Sequence, residues 1–443
     1  MVTARMSTGG VEALGGDGAV RRRVDLVIAH ATELLTCAGS AAPIRGEELS
    51  RIEILKDGAV AVRDGRIVAV GPTPEVLANY AADATLNAAG RLVTPGLVDA
   101  HTHLVYGGTR HADWEDLAVG RPATGLGGGI MRTVRATREL SADQLRVRAL
   151  RDLDVMLAHG TTTVEAKTGY GLDGETELRL LEVMANLRHE IPVVATYLGA
   201  HLQPTDYPGS RADYLKLVRD LLPEAAKYAE YCDMACDPAC FTAEECAEVA
   251  TVARAAGMRL RLHADQTGDA GGVALAAQLG ASSVDHLDAI SAAGRAALAS
   301  SPTVGMIFPG VSQHMLDTIP AVGGGQPSQP DAPGWVRQLI DSGAALGLAT
   351  DYNPGTCPTP SMQTVMQLAA RLYRLSYAEI WQMCTINAAH SLDRGGEIGS
   401  LEPGKRADIL VWSVPEHGMP IHRFGVNLVD TVLIAGKRAQ PVS

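Results

Sequence analysis

From Ala136 to roughly Leu401 the sequence alternates long helical patterns with short apolar runs, and this alternation restricts the fold more than any other feature. Helical spacing over Ser141–His159, Gly174–His189, Arg211–Tyr228 and Thr242–Ala256 is followed each time by a strand signal, at Thr161–Ala166, Val193–Leu198, Glu230–Met234 and Arg259–His263. Further strand signals lie at Ser283–His286, Val304–Phe308 and Ala345–Asp351. Strands joined through helices run parallel, and a parallel sheet is buried on both faces. The expected fold is therefore α/β, a (β/α)8 TIM-like barrel. Gly125–Gly129 and Gly323–Pro330 read as long loops at its rim.

Both ends of the chain are β-like instead. Val24–His30, a hairpin over Gly58–Gly71 turned at Asp64-Gly65, Gly404–Trp412 and Asp430–Lys437 carry strand and turn signals, and Pro72–Asn87 carries a helical one. The simplest arrangement is a small β-sandwich assembled from the N- and C-terminal segments with the barrel inserted between them. The expected division is a disordered tail over 1–22, sandwich over 23–95, barrel over 96–401 and sandwich again over 402–443.

A chain of 443 residues exceeds one compact core, which supports this division. Hydrophobic residues form 46% of it with only 3 Phe and 4 Trp, so the core must be built from Ala, Val and Leu. A net charge of −12 without basic blocks excludes a nucleic-acid surface. Seven cysteines read as reduced thiols of a cytoplasmic protein, and no apolar run reaches the roughly 20 residues that span a bilayer. Cys232, Cys236, Cys240 and Cys246 lack paired Cys-x-x-Cys knuckles and are expected to be buried thiols.

Polar residues gather where the expected strands run out. They are His101 and His103, Lys167 with Tyr170, His201, His263, His286 and Asp351. In His101-Thr-His103, period-two alternation aims both imidazoles the same way. Strand ends of a parallel barrel face one mouth, where catalytic groups sit. Two histidines from the first strand, His263 and Asp351 give an N/O ligand set that suits zinc or iron, one divalent metal per chain, with an open position that makes hydroxide near neutral pH. His314 and Trp335 flank the second Gly-rich loop, and two readings stay open for them: closure over a ligand, or a plain surface loop.

His101-Thr-His103, His263-Ala-Asp265, Ser283-Val-Asp-His286 and Asp351 between two terminal β-segments resemble the amidohydrolase superfamily. Longer blocks resemble one family within it, the imidazolonepropionases: Val105-Tyr-Gly-Gly-Thr-Arg110, Leu157 to Gly171, Tyr197-Leu-Gly-Ala-His201, Asp351-Tyr-Asn-Pro-Gly355, Thr385-Ile-Asn-Ala-Ala389 and Phe424-Gly-Val-Asn427. The resemblance covers about Leu92 to Gly436. It implies hydrolysis of 4-imidazolone-5-propanoate to N-formimino-glutamate, in histidine degradation. It implies His101, His103, His263 and Asp351 as metal ligands and Arg110 as the anchor of the substrate carboxylate. It also implies Tyr170, His201, Asn353, Gly355 and Thr356 as substrate-lining positions. The expected partners are a small anionic ring substrate and, in a homodimer, a second copy of the chain.

One position departs from that family's pattern. Three residues after the third ligand histidine the family carries glutamate, and this chain has Gln266. An amide cannot shuttle protons. Three readings stay open: Asp351 is the base, assisted by His286 or His201; Gln266 reads a substituent on a related ring propionate, such as a hydantoin or thio-substituted ring; or catalysis is lost and the chain binds a small molecule. Retained hydrolysis is favoured, because ligands and anchor are otherwise complete. A ring deaminase is disfavoured by Gln266 and by a carboxylate anchor at Arg110.

Overall fold

The computed structural model describes residues 12–14, 20–39, 41–121, 129–315 and 334–442. Eight parallel strands, Leu97–Asp99, Thr161–Lys167, Val193–Ala200, Tyr231–Cys236, Arg259–Ala264, Ser283–His286, Val304–Ile307 and Ala345–Leu348, pair in chain order. The ring closes where Thr102 bridges Tyr352 and where Asp99 accepts from the Thr350 backbone N–H at 2.9 Å and its hydroxyl at 2.6 Å. The expected TIM-like barrel is present, and the helices over Ala142–Ala158, Gly174–Ala185, Arg211–Ala225 and Ala243–Ala255 fall within the spans read from periodicity. Ser141, Ser210 and Thr242 close capping boxes at three of them, satisfying backbone N–H groups that a helix start leaves open. The expected Gly-rich rim loop Gly323–Pro330, and all of Gly125–Gly129 except Gly129, lie outside the described residues.

Strand periodicity sorts the barrel's side chains. Val164, Ala166, Leu260, Leu262 and Val284 belong to the main apolar core, whereas the alternate positions Glu165, Lys167, Asp233, Arg261 and Asp285 are charged and fully buried. Lys167 Nζ lies 2.8 Å from both Glu165 and Asp233 and 3.5 Å from Asp285. Arg261 lies 3.6 Å from Glu165 and 3.5 Å from Asp285. Buried charges persist only when paired in this way.

Two further sheets form the sandwich. One contains Glu12–Leu14, Val20–Ala31, Gly58–Arg63, Arg66–Pro72 and Tyr80–Asn87; the other joins Glu33–Leu35, Ile54–Leu55 and Leu92–Pro95 to Ile409–Trp412, Val429–Ile434 and Lys437–Arg438. Ile28, Val60 and Ile67 of the first pack with Leu34, Val93, Ile409 and Val411 of the second, so the two chain ends share one core. The chain passes from sandwich to barrel at Gly96, between strands Leu92–Pro95 and Leu97–Asp99; a Cβ there would overlap Thr162.

Two expectations need correction. The helix read over Pro72–Asn87 stops after Thr73–Asn79, and Tyr80–Asn87 pairs in parallel with the Val20–Ala31 strand. Alanine favours helix, but intrinsic propensity is a weak prior, and pairing with a neighbouring strand overrides it here. The tail read over 1–22 contains paired strand, because Glu12–Leu14 runs antiparallel to Val20–Arg22. Among the described residues no helix is long and apolar enough to cross a membrane, and all seven cysteines are free thiols. No cysteine occurs in the groups of side chains placed to hold a metal ion.

Candidate active site

The barrel's carboxyl-terminal mouth gathers the strand-end residues into one buried cluster. The rings of His101 and His263 lie 4.6 Å apart, His263 and His286 5.0 Å, and His103 stacks on His201 at 5.3 Å. Tyr170 lies 5.0 Å from His103, and Phe308 closes the floor against His101 at 4.5 Å. His286, Leu287 and Asp351 all have positive φ, at 85°, 70° and 46°. Such backbone is uncommon outside glycine and turns these strand ends toward the mouth.

Each candidate ligand histidine has one ring nitrogen held and the other aimed inward. His101 Nδ1 lies 2.7 Å from Asp285 Oδ2, His263 Nδ1 3.0 Å from Asp233 Oδ2, and His103 Nδ1 3.2 Å from the Thr168 carbonyl. The Nε2 atoms of His101 and His263 and Oδ1 of Asp351 are buried without a hydrogen-bond partner. Asp351 Oδ1 stands 3.5 Å from His101 Nε2 and 3.6 Å from His103 Nε2. Buried polar atoms left bare in this way, with ring tautomers fixed from behind by carboxylates, are the pattern of a metal cradle. The donor chemistry of His101, His103, His263 and Asp351 fits a divalent cation such as zinc or iron.

Electrostatics agree. Burial, then neighbouring cations, holds His101, His103 and His286 well below the ordinary histidine range, and burial holds His201 at about 4. Neutral imidazoles are the form that ligates. Burial lowers His263 too, but the Asp233 carboxylate outweighs it and the net shift is upward. Burial pushes the Asp351 carboxyl up to about 8, against the opposing pull of His263.

Arg110 stands at the N-cap position of the helix His111–Ala118, and its Nε donates to Asp113 at 2.7 Å. Its Nη1 lies so close to Gly355 that any Cβ there would overlap it. The side-chain Nε1 of Trp114 donates to the Gly355 carbonyl at 2.7 Å, and His314 packs on Trp114 at 4.9 Å. Burial, and then the Asp351 carboxylate, raises the Tyr170 phenol, with the Arg110 cation opposing.

Asn353 does something the sequence reading did not foresee. Its Nδ2 donates to the Asp351 carbonyl at 2.7 Å and to Thr356 Oγ1 at 2.9 Å, while its Oδ1 accepts from Gly355 and Thr356 backbone N–H groups at 2.8 Å each. The amide is committed to its own turn and shapes the Asp351–Thr356 loop. Gln266 follows His263 on the loop after the fifth barrel strand, with its Nε2 3.3 Å from Met315 Sδ and its backbone N–H donated to Asp237. Trp335 packs on Tyr373 instead of the mouth. The blocks Thr385–Ala389 and Phe424–Asn427 are scaffold: Asn387 ties the backbones of Ile44 and Leu346, and Asn427 pairs with Gln363.

Comparison with known proteins gives the same picture. A model of the amidohydrolase family matches residues 92–439, and one of the bacterial imidazolonepropionase-like composite domain matches 58–82. The chain is 40% identical over 422 residues to an imidazolonepropionase of Streptococcus sanguinis, covering 93% of this chain and 97% of that protein. It is 39% identical over 424 residues to one of Streptococcus pyogenes serotype M1, with the same coverage. Among solved structures, an adenosine deaminase from Xanthomonas campestris with bound zinc superposes with a TM-score of 0.64 at 19% identity, over 94% of this chain and 93% of that one, a likeness of fold. Family model, barrel and near full-length relatives agree: this chain is a hydrolase of carbon–nitrogen bonds and belongs to the imidazolonepropionase family of the amidohydrolases.

Proposed function

We propose that the protein hydrolyses 4-imidazolone-5-propanoate to N-formimino-glutamate in the cytoplasm. The observation that carries this is the set of bare donor atoms on His101, His263 and Asp351, with Arg110, the charge a ring propionate needs, lying against Gly355 in the turn that follows Asp351. His101, His103, His263 and Asp351 would hold one zinc or iron ion. Bound there, such an ion supplies Lewis acidity toward water and the ring carbonyl. Arg110 holds the propionate, and Tyr170, His201, Gly355 and Thr356 line the ring's seat. Water adds to the ring carbonyl carbon, the carbon–nitrogen bond breaks, and the departing nitrogen takes a proton. Asp351 is the proposed base, with His286 and His201 as the neutral imidazoles beside it.

Asp285 tests the cradle. It touches His101 Nδ1 and no substrate position, so Asp285→Asn should weaken zinc affinity by about 10- to 100-fold. Competition with a chromophoric chelator measures this; unchanged affinity would show that the carboxylate does not tune the site.

Gln266 tests the reaction itself. The native protein is expected to turn over imidazolone propionate, followed by loss of ring absorbance, and to prefer it over hydantoin propionate. If the native protein is inert to both while Gln266→Glu gains about 10²- to 10⁴-fold, the chain is a disabled relative lacking its proton shuttle. A native preference for hydantoin propionate would instead assign Gln266 to reading a different ring.

A further inference from the structure

We propose that Glu177 is a positioning residue that shapes the Thr168–Leu172 loop and, through it, sets His103, Tyr170 and His201 around the substrate. The proposal rests on the reading that these three side chains border the ring's seat. Glu177 sits in the first turns of the helix Gly174–Ala185, where a glutamate would ordinarily face solvent, yet it is 1% exposed. Its Oε1 accepts from the backbone N–H groups of Gly169 at 3.2 Å, Gly171 at 2.7 Å and Leu172 at 2.9 Å, and Oε2 shares the Gly169 bond at 3.2 Å. Several N–H groups turned onto one oxygen make an anion-holding concavity, and here the protein supplies the anion itself.

The backbone bends to permit this. Gly169 and Leu172 have φ of 97° and 53°. A Cβ on Gly169 would stand 2.9 Å from His201 Nδ1, and one on Gly171 2.7 Å from the Glu177 backbone nitrogen, so the glycines flanking Tyr170 allow approaches no other residue can make. The carbonyls of this same loop face the site: Thr168 lies 3.2 Å from His103 Nδ1, and Gly169 lies 3.0 Å from His201 Nδ1. Each fixes a ring tautomer with Nε2 turned to the mouth. One carboxylate thus holds the N–H side of a loop whose C=O side orients two imidazoles and whose middle residue is Tyr170.

Glu177→Gln is nearly isosteric but turns an amide donor toward backbone donors. We expect it to raise KM for imidazolone propionate and lower kcat, each by about threefold to tenfold, with zinc still at one per chain. In a Tyr170→Phe background the same change should cost clearly less, because both act on one side chain. Gly171→Ala, which pushes on the same concavity from the loop side, should shift KM and kcat alike and serves if Glu177→Gln does not fold. A lower melting temperature with kcat and KM unchanged per folded enzyme would overturn the proposal and leave Glu177 a structural residue. So would losses that add independently to those of Tyr170→Phe. If Tyr170→Phe and His201→Asn themselves leave KM and kcat unchanged while the native enzyme is active, the reading of the pocket fails and the proposal falls with it.

Discussion

His101→Ala is expected to purify without metal and to lose at least about 10³-fold in hydrolytic rate, because the bare Nε2 that faces His103 and Asp351 disappears with the ring. The fold should survive. His101 is fully buried, but the carboxylate it leaves behind, Asp285, keeps Lys167, Arg261 and the Ser283 hydroxyl, the last at 2.6 Å, and so is not stranded as an unpaired charge. Elemental analysis, circular dichroism and the ring-absorbance assay on one preparation decide. Metal retained at one per chain with a rate within about tenfold of native would remove His101 from the cradle. The corresponding change at His263 should behave alike, since Asp233 keeps Lys167 at 2.8 Å.

That robustness comes from a layer that the sequence displays but does not interpret. Glu165, Asp233, Arg261 and Asp285 alternate with Val164, Ala166, Met234, Leu260, Leu262 and Val284 in their strands, and a charge in a strand reads most simply as solvent-facing. In a barrel there is no solvent face within. A charged residue at every second position of a strand already read as parallel must pair inside, and period-two counting over Thr161–Lys167 or Arg259–Ala264 would have found the network.

The strand ends were legible for the opposite reason. His101, His103, His263, His286 and Asp351 each end an apolar run, and parallel topology alone then brings them to one mouth. Glu177 was not legible, because a helical glutamate looks like surface until its distance to Gly169, Gly171 and Leu172 is known. Asn353 lay between these cases. Asn353-Pro-Gly355 is a turn signal, and turn chemistry predicts an Asn amide bonded to its own backbone, which is what the structure shows.

The same loop bears on the second large effect. Gly355 brings backbone against Arg110 Nη1, and Asp113 takes the Nε edge of the guanidinium, so the plane of the fork is fixed before a ligand arrives. A carboxylate gripped by such a fork forms two charge-assisted bonds, and truncating the cation of a pair of this kind costs about 2–4 kcal/mol. Arg110→Ala should therefore lower kcat/KM for imidazolone propionate by roughly 30- to 1,000-fold, chiefly through KM if the contact persists unchanged from ground state to transition state. Arg110→Lys should recover only part of this, since an ammonium offers a point charge without the fork. The measurement needs a ring analogue lacking the propionate as its control. For that analogue native and Arg110→Ala should be nearly equal; an equal loss with both ligands would place Arg110 in the scaffold, holding Asp113 and the Gly355 turn, and the substrate carboxylate would have to be sought elsewhere at the mouth.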